Sequence, residues 1–487
     1  MSDFDLVIRR GLVATASDAV VCDVGVTNGR IAALGAALPK GSKEIDAQGL
    51  LVLPGGIDSH CHLAQRGPSG SRHADDFLSG TVSAACGGNT TIMPFANQMK
   101  GQSLRAVVDD YHRLAVGKAV IDYAFHMIIS HPTPAVLGQE LPALVASGHT
   151  SFKVFMTVDA FMLDDRQILE VLEAARREGA LVMVHAENND AIAFLSERLL
   201  REGRTEPKYH AVARPMAVER EATHRAISFA EITDVPILIV HVSGREAIEQ
   251  IEWARQRGLK IYAETCPQYL FLSAEDLDRP GLEGAKFMCA PPMRGKENQQ
   301  SVWQALQRGT FDVFSSDHAP FRFAGPDGKC LHGAGAPFTK VANGLPGLET
   351  RLPLLFSEGV GKGRIGLGDF VALSATNAAR VYGLYPRKGT IAVGSDADIA
   401  IWDPDREVTI TKSILHDKAD YTPYEGMTVR GWPVMTLSRG EVLWEDGKVL
   451  ATPGRGEFLP CERPRAALPA AAASGHNSAL PRVSYRP

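Results

Sequence analysis

Eight short apolar runs spaced through the middle of the chain constrain its fold more than any other feature. They occupy residues 51–53, 91–94, 123–129, 151–156, 181–184, 236–242, 260–263 and 311–314. Helical stretches separate most of them. In residues 165–178, Ile168, Leu169, Leu172 and Ala175 recur at helical spacing. Asp164 is placed to cap that helix with Gln167 three residues on, and Gly179 stands at its stop. Residues 246–256 read the same way and end near Gly258. Strands apolar on both faces and alternating with helices predict a parallel (β/α)8 TIM barrel, a fold that carries its chemistry at the carboxyl ends of its strands.

The two ends of the chain read differently. Residues 5–9 alternate in polarity, and Asn28-Gly29 is a hairpin turn before residues 30–34. Comparable strands are expected at residues 390–393, 398–402, 434–437 and 441–444, with Asp446-Gly447 as another turn. These segments predict a small β-sandwich domain assembled from residues 1–53 and 385–459, set against a barrel over residues 54–384. From Pro460 the sequence turns rich in alanine and proline, and residues 460–487 are expected to form a flexible tail.

Composition narrows the partners. The net charge is -5, with no basic stripe that would bind nucleic acid. No apolar run approaches the roughly 18 residues that span a bilayer, and the first residues lack a signal-peptide pattern. A cytoplasmic location is therefore expected. Seven scattered cysteines with no Cys-x-x-Cys pair suggest neither a disulfide framework nor a thiolate metal site.

Chemistry-bearing residues collect after the apolar runs. Gly55 to His62 contains His60-Cys61-His62, and residues two apart on an extended chain point the same way. Lys153 lies inside the apolar run Ser151-Phe152-Lys153-Val154-Phe155-Met156. His185 and His241 end the fifth and sixth runs, and Asp317 follows the eighth. One histidine at a strand end is most often structural. A lysine within an apolar strand is harder to explain, because burying an unpaired ammonium costs several kcal/mol. Four histidines, a lysine and an aspartate at strand ends together offer six nitrogen and oxygen donors with no sulfur. That set suits a pair of divalent ions such as zinc, manganese or cobalt.

The chain resembles the cyclic amidases of the amidohydrolase superfamily, the dihydropyrimidinases and D-hydantoinases, from about residue 3 to about residue 459. The resemblance rests on Gly55-Gly56-Ile57-Asp58-x-His60-x-His62, on the lysine motif above, and on Ala263-Glu264-Thr265-Cys266-Pro267-Gln268-Tyr269-Leu270. It rests also on Ser316-Asp317-His318-Ala319-Pro320-Phe321, Asn343-Gly344-Leu345-Pro346-Gly347-Leu348-Glu349 and Asp420-Tyr421-Thr422-Pro423-Tyr424-Glu425-Gly426. It implies that His60, His62 and Asp317 hold one metal, that His185 and His241 hold a second, and that a carboxylated Lys153 bridges both. It further implies attack by a bridging hydroxide on a ring carbonyl, with Asp317 carrying the proton to the leaving nitrogen. Main-chain groups near Ala290 and Asn343 would fix the cyclic –CO–NH–CO– unit. Relatives of this kind imply a homo-oligomer, a tetramer or dimer.

Two positions depart from the resemblance. Val158 stands where relatives carry a tyrosine that donates to the developing oxyanion, and losing such a donor costs roughly 2.7–4 kcal/mol in comparable enzymes. Thr157 or Tyr269 could substitute, the metal could supply all the polarisation, or the site could accept a different ring. Ala64 replaces an acidic residue. Loops 64–74, 95–101 and 157–165 match substrate-gating loops, where Phe95, Phe161, Met162 and Leu163 would shape an apolar pocket. Two alternatives stay open: a sister ring amidase (an imidase, an allantoinase, or a dihydroorotase using Arg66), and a non-catalytic scaffold of the same fold. The intact donor set argues against the scaffold.

Overall fold

In the computed structural model, which describes residues 3–67 and 70–469, the runs of the middle form a parallel sheet curled into a barrel. Its strands in order are Gly56–Cys61, Asn89–Asn97, His126–Ile128, Ser151–Phe155, Leu181–His185, Ile237–Ile239, Ile261–Thr265 and Val313–Phe314. Asp122–Tyr123 extends the third stave against the second strand. A parallel bridge between Cys61 and His318 draws the first and last strands together, with His62 N donating to His318 O at 2.7 Å.

Alternation decides which side chains face inward. In the fifth strand Leu181 and Met183 enter the barrel's inner cluster, while Val182 and Val184 join the outer one under the helices. His185 therefore continues the inner row. Lys153 pairs with Met183 and Phe155 with His185 across the neighbouring strands. Both faces are buried, so the strands are apolar throughout. The helix Asp165–Glu178 has the expected ends. Asp164 and Gln167 form a reciprocal capping box, and Gly179 stops it with φ 67°.

A second, nine-stranded sheet joins the two ends of the chain. Leu51–Pro54 is its hinge, parallel to Phe4–Ala14 and antiparallel to Ile399–Thr409. Residues 51–53 thus belong to this sheet, and the first barrel strand is Gly56–Cys61. An apolar run buried on both faces looks the same in either sheet. Residues 390–393 are not a strand. They form a turn ending at Gly394, lashed to the edge strand by Gly394 N to Ile31 O and Ile31 N to Ser395 O.

Lys388 pins the two units together. Its buried ammonium lies 2.7 Å from Asp122 of the barrel, 2.7 Å from Asp398 and 3.0 Å from Asp396. Residues 460–469 also pack on the barrel, with Cys461 and Ala467 buried. The rest of the expected tail, 470–487, lies outside the described residues. Among the described residues no helix is long and apolar enough to cross a membrane.

Candidate metal centre

His60, His62, Lys153, His185, His241 and Asp317 converge at the carboxyl ends of the barrel strands. His60 Nε2 is the hub, 2.8 Å from Lys153 Nζ and 3.2 Å from Asp317 Oδ1. His62 Nε2 is 3.6 Å from the same carboxylate oxygen. The His185 and His241 rings meet edge to face at 4.5 Å, and His241 lies 5.3 Å from His60. Donor atoms of His60, His62 and Asp317 all fall within 4.8 Å of one another.

Three of the imidazoles are held from behind. His60 Nδ1 lies 2.6 Å from Glu264 Oε1, His62 Nδ1 3.0 Å from Gln65 Oε1, and His185 Nε2 2.8 Å from Glu187 Oε2. Each such contact fixes one ring nitrogen and leaves the other for the centre, the arrangement that orients metal-binding histidines. His241 Nδ1 is buried with no hydrogen-bond partner among the described residues. An orphaned buried ring nitrogen of this kind calls for a partner. The donor set fits divalent metal ions.

The electrostatics agree. Burial holds His60, His185 and His241 below the usual histidine range, with neighbouring cations adding to the effect, so they present neutral lone pairs. Burial would raise the Asp317 carboxyl, but His60, His62 and His241 drag it well below its ordinary value. Burial draws the Lys153 ammonium down to about 8 against the pull of Asp317 and Glu264. Its Nζ sits 4.5 Å from the Phe95 ring and 4.9 Å from the Phe155 ring. Glu187 is buried too, yet the Arg214 guanidinium 2.6 Å away and His185 bring its carboxyl down to about 2.

Backbone strain gathers here. Among the described residues nine non-glycines have positive φ, and Ala64, Val158, His241 and Asp317 are four of them. Val158, at φ 69°, is β-branched, the side-chain class least tolerant of that region. Such strain persists only where surrounding structure enforces it, and it concentrates at functional sites.

The expected ring-binding segments lie beside Asp317. Ala319 N donates to Leu345 O at 2.9 Å, and Gly344 N to Met288 O at 2.9 Å. Gly344 has φ 153°, and a Cβ there would meet Ala319 Cβ at 2.5 Å, so only glycine permits this approach. The carbonyl of Met288 is held by Lys329, that of Cys289 by His210, and that of Pro291 by Tyr269 and the Cys289 thiol. Among the described residues nothing donates to Ala290 O, and Asn343 is exposed between buried neighbours.

The apolar residues divide. Phe95 lies inside the second strand rather than in a gating loop. It is fully buried, edge-on to His60 at 4.7 Å and stacked on His62 at 5.1 Å. Phe161 and Leu163 are mostly buried, and Met162 is half-buried, on a turn closed by two amides donating to Val158 O. Both hydroxyls that could replace the missing phenol are committed elsewhere. Thr157 donates to Asn189 Oδ1 at 3.0 Å, and Tyr269 to Pro291 O at 3.0 Å.

Glu264, Glu187, Gln65 and Lys329 were not singled out by the sequence reading. Glu187 was discoverable, because it follows His185 by two on an extended segment. Glu264 stood in a quoted motif without a role. His318, next to Asp317, has both ring nitrogens occupied, by Asp75 and by the amides of Gly347 and Leu348.

Residues 51–443 match the amidohydrolase family model. A D-hydantoinase of Ralstonia pickettii is 44% identical over 93% of this chain and 98% of its own. One from Geobacillus stearothermophilus is 46% identical over 93% and 95%. The crystal structure of a dihydropyrimidinase from Brevibacillus agri superposes with a TM-score of 0.91 at 43% identity, covering 94% of this chain and 99% of that one.

Proposed function

The chain belongs to the amidohydrolase family, in its D-hydantoinase and dihydropyrimidinase branch, and from that premise we propose that it hydrolyses the C–N bond of a cyclic amide such as a hydantoin, a dihydropyrimidine or a related imide or ureide. The observation that carries the reading is the convergence of six donors, with three imidazoles tied from behind so that one nitrogen of each is left inward.

In this reading His60, His62 and Asp317 would hold one divalent ion, His185 and His241 would hold a second, and Lys153, as a carbamate, would serve both. Zinc is the first choice, with manganese and cobalt also suited to nitrogen and oxygen donors. When bound, two such ions bring the pKa of water between them toward neutrality and polarise a ring carbonyl. The surroundings of Lys153 support its reaction with carbon dioxide, which forms the carbamate and releases a proton. Burial lowers its ammonium to about 8, and a carbamate turns a costly buried cation into an anion among neutral imidazoles.

Asp317 has the protein's remaining proton work. Its carboxylate lies beside His60 and His62, placed to take a proton from water and hand it to the leaving ring nitrogen. Ala290 O and Asn343 meet the ring's –CO–NH–CO– unit. Opening a hydantoin or dihydropyrimidine this way yields an N-carbamoyl amino acid. Assembly as a homo-oligomer belongs to the same proposal.

One observation favours a shifted substrate. Val158 offers no donor, and the Thr157 and Tyr269 hydroxyls are spent. An oxyanion that relies on metal alone suits a ring more reactive or bulkier than plain hydantoin, as in an imidase or allantoinase. The deciding experiment is a hydrolysis panel on zinc- or manganese-loaded protein with hydantoin, 5-phenylhydantoin, dihydrouracil, succinimide, phthalimide, allantoin and dihydroorotate. Turnover of any ring supports cyclic amide hydrolysis, and its rank order names the ring. A fully loaded protein that opens none of them refutes the proposal.

A further inference from the structure

Lys329 is a buried amine without a buried anion. Only 1% of it reaches solvent, and no carboxylate among the described residues pairs with it. Its Nζ instead donates to two main-chain carbonyls, Met288 O at 3.0 Å and Ala342 O at 2.8 Å. The ionisable groups facing it are the thiols of Cys289 and Cys330 and the His210 imidazole, and burial draws its pKa down to about 7. Charged or neutral, the amine has N–H donors enough for the two carbonyls that it meets.

Those carbonyls lie on separate segments. Met288 is two residues before Ala290, and Ala342 immediately precedes Asn343. Gly344 N also donates to Met288 O, so one carbonyl joins the amide of one segment and the amine of a third. That third segment is the loop after Asp317. It is fixed by Lys329 N to Arg322 O at 2.8 Å and reaches the first loop through Arg72 N to Asp327 O at 2.9 Å. A hydrocarbon of the same length would avoid the cost of burying an amine. It would leave the buried Ala342 O without a donor, and it would leave Gly344 N to Met288 O as the remaining direct tie between the two segments.

We propose that Lys329 is a positioning residue of the ring slot: by holding Met288 O and Ala342 O together it fixes the spacing between Ala290 and Asn343, and so selects ring size. This rests on the reading that those two segments grip the ring. Lys329 touches none of the proposed metal ligands, so its effect is separable from metal loading.

The test compares wild type, Lys329→Met and Lys329→Gln, each loaded with zinc and assayed per bound metal on hydantoin, a five-membered ring, and dihydrouracil, a six-membered ring. Lys329→Met is expected to bind as much zinc as wild type. Its KM should rise about tenfold or more, the effect of about one lost hydrogen bond, with a smaller change in kcat and a shifted preference between the two rings. Lys329→Gln keeps two N–H donors and should recover part of the KM. Hydrogen exchange gives a second readout that needs no turnover: the amides of residues 288–290 and 342–345 should exchange faster in Lys329→Met. An unchanged KM and ring preference in an active Lys329→Met enzyme overturns the proposal even if its stability falls. If wild type opens neither ring, the functional reading fails instead, and exchange alone decides: faster exchange in both segments supports the positioning role, and unchanged exchange overturns it.

Discussion

Lys153 Nζ and His60 Nε2 lie 2.8 Å apart in a site where both side chains are buried. The imidazole is neutral and the amine has lost much of its affinity for a proton, so the pair is poised to accept a bridging anion and cations. Lys153→Ala is expected to lose the bridge, to bind less zinc and to drop activity to background. Elemental analysis measures the first effect. A carbon-13 carbamate signal, present in wild type after bicarbonate labelling and absent from the variant, measures the cause. A variant with full zinc and full activity contradicts the bridging role.

Glu187 stands behind His185 as Glu264 stands behind His60. Removing such an outer partner typically weakens metal binding about 10–100-fold. Glu187→Gln is therefore expected to release one ion at chelator concentrations that leave wild type intact, while the ion proposed at His60, His62 and Asp317 stays. Stepwise zinc release monitored by a colorimetric chelator distinguishes the two sites.

The sequence makes the donors legible and leaves their supports hidden. Lys153 interrupts an apolar run, His185 and His241 stand at the ends of two others, and His60, His62 and Asp317 lie within a few residues of strand ends, so the barrel's order delivers them to one place. Glu264 and Lys329 depend on partners 204 residues away at His60 and 41 and 13 residues away at Met288 and Ala342. No local pattern encodes pairing at such separations. Residues 51–53 misled because burial on both faces is common to the barrel and to the hinge of the second sheet. Phe95 misled in the opposite way: the run beginning at Thr91 continues two residues beyond Phe95, to Asn97, and buries a ring that would otherwise have lined a gate.

Lys388 makes a prediction about stability alone. Its ammonium is held protonated inside a cage of Asp122, Asp396 and Asp398, each within 3.0 Å. Lys388→Met removes the cation and leaves three buried carboxylates, one of them in the barrel. Breaking a buried pair from one side costs about 3–5 kcal/mol. A lowered urea midpoint with unchanged zinc content is the expected outcome.

His149 gives the fold an acid limit. Its Nε2 lies 3.1 Å from His112 Nε2, and the ring stacks on Phe458 at 4.9 Å. Burial, then the neighbouring His112, lowers its pKa to about 4. The unfolded chain binds a proton near 6.5, so between about pH 6.5 and 4 it holds more protons than the folded one. Stability is full above that window and falls as pH drops through it, by about 3 kcal/mol from this residue. His149→Phe keeps the stacking and removes the titration. Its unfolding free energy, followed from pH 7 to pH 4, should fall less steeply than that of wild type, and parallel slopes would refute the assignment.

Val158 links backbone strain to substrate choice. It holds φ 69° without the hydroxyl donor that the resemblance leads one to expect at this position, and neither neighbouring hydroxyl is free to replace it. Tyrosine is not β-branched, so Val158→Tyr relieves local strain while returning a phenol to the developing oxyanion. One restored donor contributes roughly 2.7–4 kcal/mol, or about 10²–10³ in turnover. Hydantoin kcat is expected to rise toward that range in Val158→Tyr, while rings that need the smaller valine fall. An unchanged hydantoin kcat with wild-type zinc content would mean that the ions alone polarise the carbonyl, and that valine at this position governs only the room beside the ring.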